Sequence, residues 1–246
     1  MLRIGHFFKV LDTVDSTNNY AMAQVHAGLA KHGFCYFAHH QTAGKGQRGK
    51  SWLTQAGENV SISVVIDPGR LLLSDQFLLS ASAALSCYDF VKGYAGIETR
   101  VKWPNDIYWC DRKAGGILIE NVVAGTRWQY AIVGIGLNIN QTIFPTHLPN
   151  PVSLKQISNN HYDAEQMARE LCYFFDNRYQ QTQADKQATI IEDYNNVLYK
   201  RNETVKLRHK NILFDTVIKG VNIQGRLVTN QFVEKEYSSG EIQWVT

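Results

Sequence analysis

The 246 residues are 44% hydrophobic and 11% aromatic, enough apolar material for one large or two small domains with no need of disulfide or metal staples. A formal net charge of +3 excludes the strongly basic balance of proteins that hold nucleic acid regardless of sequence, and favours small acidic molecules as ligands. Cys35, Cys87, Cys110 and Cys172 show no CxxC or Cys/His spacing, so they read as reduced thiols, with no structural metal and no disulfide. With no signal-length apolar run at the start and no stretch of about 18 apolar residues anywhere, the chain reads as cytoplasmic and clear of the membrane.

Residues 7–12 form a predicted strand, and Asp15-Ser16-Thr17-Asn18 offers N-cap side chains for an Ala-rich helix over 20–30. Residues 34–40 and 60–66 are β-branched and aromatic strands, with a glycine-rich loop over 44–57 between them. Phe77, Leu78, Ala81, Leu85 and Tyr88 recur at helical spacing and predict a buried helix over 74–91 that closes near Gly93. Four strands follow, over 99–103, 107–110, 116–121 and 127–136, and their short connecting turns favour antiparallel neighbours. A second amphipathic helix covers 163–181, with Met167, Leu171 and Phe174 on one side, and a third covers 189–198. From Thr204 the pattern changes to five short strands separated by polar and glycine turns, which fits a small β-barrel of under about 50 residues docked on the first domain.

Gly44-Lys45-Gly46-Gln47-Arg48-Gly49 matches G-x-G-x-x-G but lacks the context of a dinucleotide site, because no packed helix opens at its last glycine. Walker A also fails, since no glycine stands at the required distance before Lys50-Ser51. Two readings remain: a flexible anion clamp, with Lys45, Arg48 and Lys50 supplying charge, or a solvated hairpin tip. Lys102-Trp103-Pro104-Asn105-Asp106 is a turn dense in groups able to read a base, a ribose or a metal, and Lys113 precedes the small residues Ala114-Gly115-Gly116 and an apolar strand. Taken alone, the first segment is more often a turn than a site, and Lys113 also reads as a surface charge at a hairpin end.

Taken together and in order, Asp15-Ser16-Thr17-Asn18, Gln41 to Trp52, Lys102 to Asp106, Lys113 to Glu120 and Gly134-Ile135-Gly136-Leu137-Asn138 resemble the catalytic domain of the biotin protein ligase family. The resemblance covers about residues 10–198, and the tail is similar to the family's small SH3-like domain. It implies an α+β fold, a mixed sheet with helices as in class II synthetases, divided into a catalytic domain over 1–199 and an SH3-like β domain over 200–246. The implied reaction joins biotin and MgATP into biotinyl-5'-AMP, then passes the biotinyl group to a lysine of the biotin carboxyl carrier domain of a carboxylase. Biotin and ATP are then substrates, and magnesium rides on the ATP phosphates, with Asp106 as the side chain nearest to a ligand role.

By the same resemblance Ser16, Thr17, Asn18, Gln41, Lys45, Gly46, Gln47, Lys113, Gly115 and Gly116 bind biotin. Arg48, Lys50, Trp52, Lys102, Asn105, Asp106 and Asn138 bind ATP, and Lys113 and Arg48 are the catalytic cations. Two like charges, a carboxylate and an α-phosphate, must meet, and fixed cations offset their repulsion. Many relatives carry basic residues where Gln47 and Ser51 stand, so this clamp lacks two charges. The motifs begin at Asp15, which implies a short form without an N-terminal DNA-binding domain and no specific DNA partner; a homodimer is left open. The rivals are a lipoate or octanoate ligase or transferase of the same fold, and a carrier-binding protein without chemistry.

Overall fold

The computed structural model describes residues 2–184 and 187–245. Strand β1 (Phe7–Val14) leads through α1 (Thr17–His26) to β2 (Phe34–Gln41), which lies parallel to β1. β3 (Val60–Ile66) follows, then α2 (Gln76–Ala95), β4 (Thr99–Lys102), β5 (Asp106–Trp109), β6 (Arg112–Ala124) and β7 (Arg127–Leu137). These strands make one seven-stranded sheet in the order β1-β2-β3-β7-β6-β5-β4, antiparallel at every pairing except the first. The short turns between β4, β5, β6 and β7 give the antiparallel neighbours that their lengths predict.

Period-two alternation divides the sheet's two faces. Cys35, Phe37, Ile62, Val64, Val133 and Ile135 join the main core under α2 and α4 (Ala164–Gln183), whereas Tyr36, Val65 and Ile132 pack with Ala21 of α1 on the other face. α1 covers only part of that second face, and the candidate site occupies what it leaves bare.

Several boundaries differ from the sequence expectation for identifiable reasons. Ser16 is extended (φ −153, ψ 135) and caps α1, so the helix starts at Thr17 instead of Tyr20 and turns Thr17 and Asn18 inward. α2 passes through Gly93 and ends at Gly96, whose φ of 79 suits the stop. On α4 Met167 and Leu171 are buried as expected, but Phe175 takes the core position expected for Phe174, which is half-buried against the ring of Phe90. A short helix, α3 (Leu154–Ser158), has no apolar period long enough to reveal it and is set by a Ser153/Gln156 capping box.

After α5 (Gln187–Asn196), β8 (Thr204–His209), β9 (Ile212–Val221), β10 (Leu227–Asn230), β11 (Glu234–Tyr237) and β12 (Ile242–Trp244) form a five-stranded antiparallel sheet in the order β11-β10-β9-β8-β12. Its buried residues Leu207, Ile218, Leu227 and Ile242 are continuous with the core that holds Phe77 and Trp103. Trp103 Nε1 donates to Gly225 O at 2.9 Å, and Gly225 (φ 80) lies on the Phe77 ring, where a Cβ would stand 2.4 Å from ring carbon. Removing residues 201–246 is therefore expected to lower the melting temperature and raise binding of an apolar dye, because Trp103 and Phe77 lose their cover. An unchanged melt of the truncated chain would contradict this packing argument.

Candidate active site

Three glycines make the floor. Register places Gly116 opposite Gly136, with Gly134 beside it on β7 and Ser61 and Ser63 across on β3. A Cβ at Gly134 would stand 2.3 Å from Asn18 Oδ1, and one at Gly136 would stand 2.3 Å from the Trp52 ring. Bare backbone here lets α1 and the loop after β2 approach the sheet closely. The result is an open pocket lined by Ser16, Thr17, Gln41, Lys45, Lys113 and Gly116.

One end of the pocket is a buried polar network. Ser63 Oγ lies 2.7 Å from Thr17 Oγ1 and 2.6 Å from Asn18 Oδ1. Thr17 donates from its backbone N–H (2.8 Å) and its hydroxyl (3.2 Å) to Gln41 Oε1, which fixes the Gln41 side chain by its carbonyl. Asn18 Nδ2 donates to Glu120 Oε2 at 2.7 Å. Ser16 is 1% exposed and lines the pocket, and its side chain makes no capping bond.

The opposite end is cationic. Lys113 Nζ donates to Asp106 Oδ1 at 2.7 Å and lies 5.9 Å from the Trp52 ring centre. Lys45 Nζ pairs with Glu120 Oε1 at 3.4 Å. Residues 44–52 form a tight hairpin, closed by Gly46 N to Lys50 O at 2.6 Å and Trp52 N to Gly44 O at 2.8 Å, with Lys45 and Ser51 bridged. Lys45, Gly46, Gln47 and Trp52 line the pocket; the Trp52 indole N–H is buried and has no hydrogen-bond partner among the described residues.

Of the other residues singled out from sequence, Asn105 lines the pocket, and Arg48, Lys50, Lys102, Gly115 and Asn138 are not among its lining residues. Arg48 takes a left-handed backbone (φ 56) and reaches away from the pocket to Ser239 Oγ at 3.0 Å. Lys50 is exposed at the hairpin's edge. Gly115 packs on Leu137 under the floor, and Asn138 Nδ2 bonds the carbonyls of Lys113 (3.3 Å) and Val152 (3.1 Å), bracing the strand that carries Lys113. Asn105 lines the pocket and donates to Ile117 O at 2.7 Å. Lys102 is buried among Tyr108, Tyr199 and Trp244, and desolvation pulls its amine down to about 8.

Two residues of the network were given no role from sequence. Ser63 was legible as a small polar residue at an alternate position in the otherwise apolar strand Val-Ser-Ile-Ser-Val-Val-Ile. Glu120 ends an apolar run, but only the fold shows that it meets both α1 and the loop.

A mixed sheet with a glycine-floored pocket, hydroxyl and amide groups at one end and Lys113 at the other, defines an α+β protein whose pocket differs in charge between its ends. A family model, the biotin/lipoate A/B protein ligase family, matches residues 10–138. The chain belongs to that family. It is 31% identical over 179 residues to a bifunctional ligase/repressor BirA of Bacillus spizizenii, covering 72% of this chain and 54% of that protein. It is 36% identical over 132 residues to a biotin–[acetyl-CoA-carboxylase] ligase of Paracoccus denitrificans, 53% of each chain. The chain thus spans about half the length of these curated relatives. Among solved structures, a biotin protein ligase of Aquifex aeolicus in complex with biotin and ATP superposes with a TM-score of 0.83 at 22% identity, over 98% of this chain and 100% of that one. That likeness extends through the C-terminal sheet, so the α+β class with a small SH3-like sheet agrees with the sequence reading. Among the described residues no helix is long and apolar enough to cross a membrane.

Proposed function

We propose that this chain is a biotin protein ligase. A biotin carboxylate oxygen attacks the α-phosphorus of MgATP, the bond to the β-phosphate oxygen breaks, and pyrophosphate leaves. A carrier lysine amine then attacks the acyl carbon of biotinyl-5'-AMP, and AMP leaves. The observation that carries this reading is the polarity of the pocket: hydroxyl and amide groups of Ser16, Thr17, Asn18 and Gln41 at one end suit a ureido ring, and Lys113 at the other suits a carboxylate meeting a phosphate.

In this reading Thr17, Asn18 and Gln41 hold the ring, Gly116 and Gly136 lie beneath the aliphatic chain, and Lys113 offsets the charge that gathers between carboxylate and phosphate. Lys45 and the loop backbone at Gly46 close over the intermediate and exclude water, and Trp52 and Asn105 form the wall on the nucleotide side. Asp106 and Glu120 are already engaged by lysines, so magnesium belongs to the nucleotide as part of the substrate. We divide the chain into a catalytic unit over 1–199 and an SH3-like unit over 200–246, with a biotin carboxyl carrier domain as protein partner. We place it in the cytoplasm, where its four free thiols stay reduced.

The deciding experiment is biotin-dependent release of pyrophosphate from ATP, with lipoate and octanoate as controls, followed by label transfer to a carrier domain. Turnover with lipoate or octanoate and none with biotin moves the assignment to the aliphatic-acid branch of the family. A purely aliphatic ligand makes no hydrogen bond to the hydroxyl and amide groups that line this end, which is the observation against that branch.

Gln47 lines the pocket at a position where a basic residue would add charge to the loop. Gln47→Arg is expected to slow escape of preformed adenylate modestly, by on the order of 1 kcal/mol, and less so as salt is raised. A chase of the bound intermediate at low and high salt reads this directly. Equal release rates at low salt would show that residue 47 does not meet the ligand.

A further inference from the structure

Lys102 is 7% exposed, yet among the described residues its amine forms no ion pair. It donates one hydrogen bond, to the Tyr108 hydroxyl at 3.1 Å, and lies 4.4 Å from the ring centre of Tyr108, 5.1 Å from Trp244 and 5.4 Å from Tyr199. Ring faces thus hold a desolvated charge where a carboxylate ordinarily stands. Two of the three walls come from outside the large sheet: Tyr199 follows α5 and Trp244 lies on β12. The rings of Tyr199 and Trp244 also touch each other, at 5.8 Å.

The box adjoins the reacting end of the pocket. Lys102 is the direct cross-strand partner of Asp106, and directly opposed residues of an antiparallel pair project to one face. Val101 and Ile107 point into the α2 core, so Lys102 and Asp106 stand on the pocket face in a row with Gly116 and Gly136, and Lys113, opposite Tyr108, reaches Asp106 from beside that row. Asp106 therefore has a lysine on either side. With both present the trio carries one net positive charge, and Lys113 can meet an anionic ligand while Asp106 stays compensated. Without Lys102 the pair Asp106–Lys113 is neutral.

We infer that Lys102 is a positioning residue: through its aromatic box, seating of the C-terminal sheet keeps Lys113 available to the anionic ligand. It touches no ligand and acts through Asp106. The activity arm of this inference rests on the ligase reading given above.

The test compares Lys102→Met, Lys102→Arg and Trp244→Leu in single-turnover adenylate formation at saturating biotin and ATP, well below each variant's melting temperature. Lys102→Met is expected to lower the rate constant about tenfold while the KM for biotin moves less than about twofold. Lys102→Arg, which keeps the charge and stacks on rings, recovers most of the rate. Trp244→Leu falls by a similar factor, and the double variant Lys102→Met/Trp244→Leu falls no further. An unchanged rate in Lys102→Met, or multiplying losses in the double variant, overturns the inference.

A second measurement is independent of activity. The lysine side-chain NMR signal of Lys113, assigned by its loss in Lys113→Arg, is followed in wild type, Lys102→Met and Trp244→Leu. A shift of the Lys113 signal in both variants supports the coupling, and an unmoved signal in both refutes it. If wild type forms no adenylate, the ligase reading fails and this arm still decides the coupling.

Discussion

Lys113→Ala is expected to lower single-turnover adenylate formation by about two to three orders of magnitude and to leave the fold intact, the scale on which loss of one charge-stabilising donor acts. The side chain is half-buried and its ion-pair partner is Asp106 at 2.7 Å. Truncation removes the only cation that lines the pocket among the described residues besides Lys45, and Lys45 is tied at the other side to Glu120. It also leaves Asp106 with Lys102 as its one neighbouring lysine, so the reacting end loses its net positive charge. Lys113→Arg restores the charge with a broader head and is expected to recover activity in part. A loss smaller than about threefold at saturating substrates would make Lys113 a surface charge and remove the observation on which the proposed chemistry stands.

Gly134→Ala is expected to weaken biotin binding by roughly one to two orders of magnitude while the rate with bound substrates changes less. The added Cβ would stand 2.3 Å from Asn18 Oδ1, and Asn18 cannot easily yield, because Ser63 and Glu120 hold its two amide atoms at 2.6 and 2.7 Å. Something buried and hydrogen-bonded must move. Overpacking of this kind costs about 1–3 kcal/mol, and 1.4 kcal/mol is about tenfold in affinity. Calorimetric titration of biotin into the variant checks the number. Unaltered affinity would mean that Asn18 is a brace for the sheet and makes no ligand contact.

The large outline was legible in the sequence because it rests on period. Residues 60–66 alternate along a β-branched run and form β3 with those same bounds, and five short strands after Thr204 form the second sheet. The polar end was legible too, since hydroxyl and amide residues crowd between a strand and a helix. What periodicity does not carry is direction. Arg48 and Lys45 stand three residues apart in one loop, yet Lys45 lines the pocket and Arg48, with its left-handed backbone, bonds Ser239 of the far sheet. Asn138 resembles a ligand contact by its place after Gly-Ile-Gly-Leu, but its amide is spent on two carbonyls that hold β6 to the segment before α3. Lys102 sits in a motif full of polar groups, and only the return of the chain at Tyr199 and Trp244 encloses it. Each of these outcomes depends on contacts between residues far apart along the chain, which no local pattern contains.

Glu120 joins α1 to the loop after β2 through a single carboxylate, one oxygen accepting from Asn18 and the other from Lys45. Whatever occupies the polar end and reorients Asn18 changes the position of that carboxylate, and with it the hold on the loop. Linkage makes the effect run both ways with equal free energy. Occupation of the ring subsite therefore biases the loop toward one arrangement by the same factor by which that arrangement tightens the ring subsite.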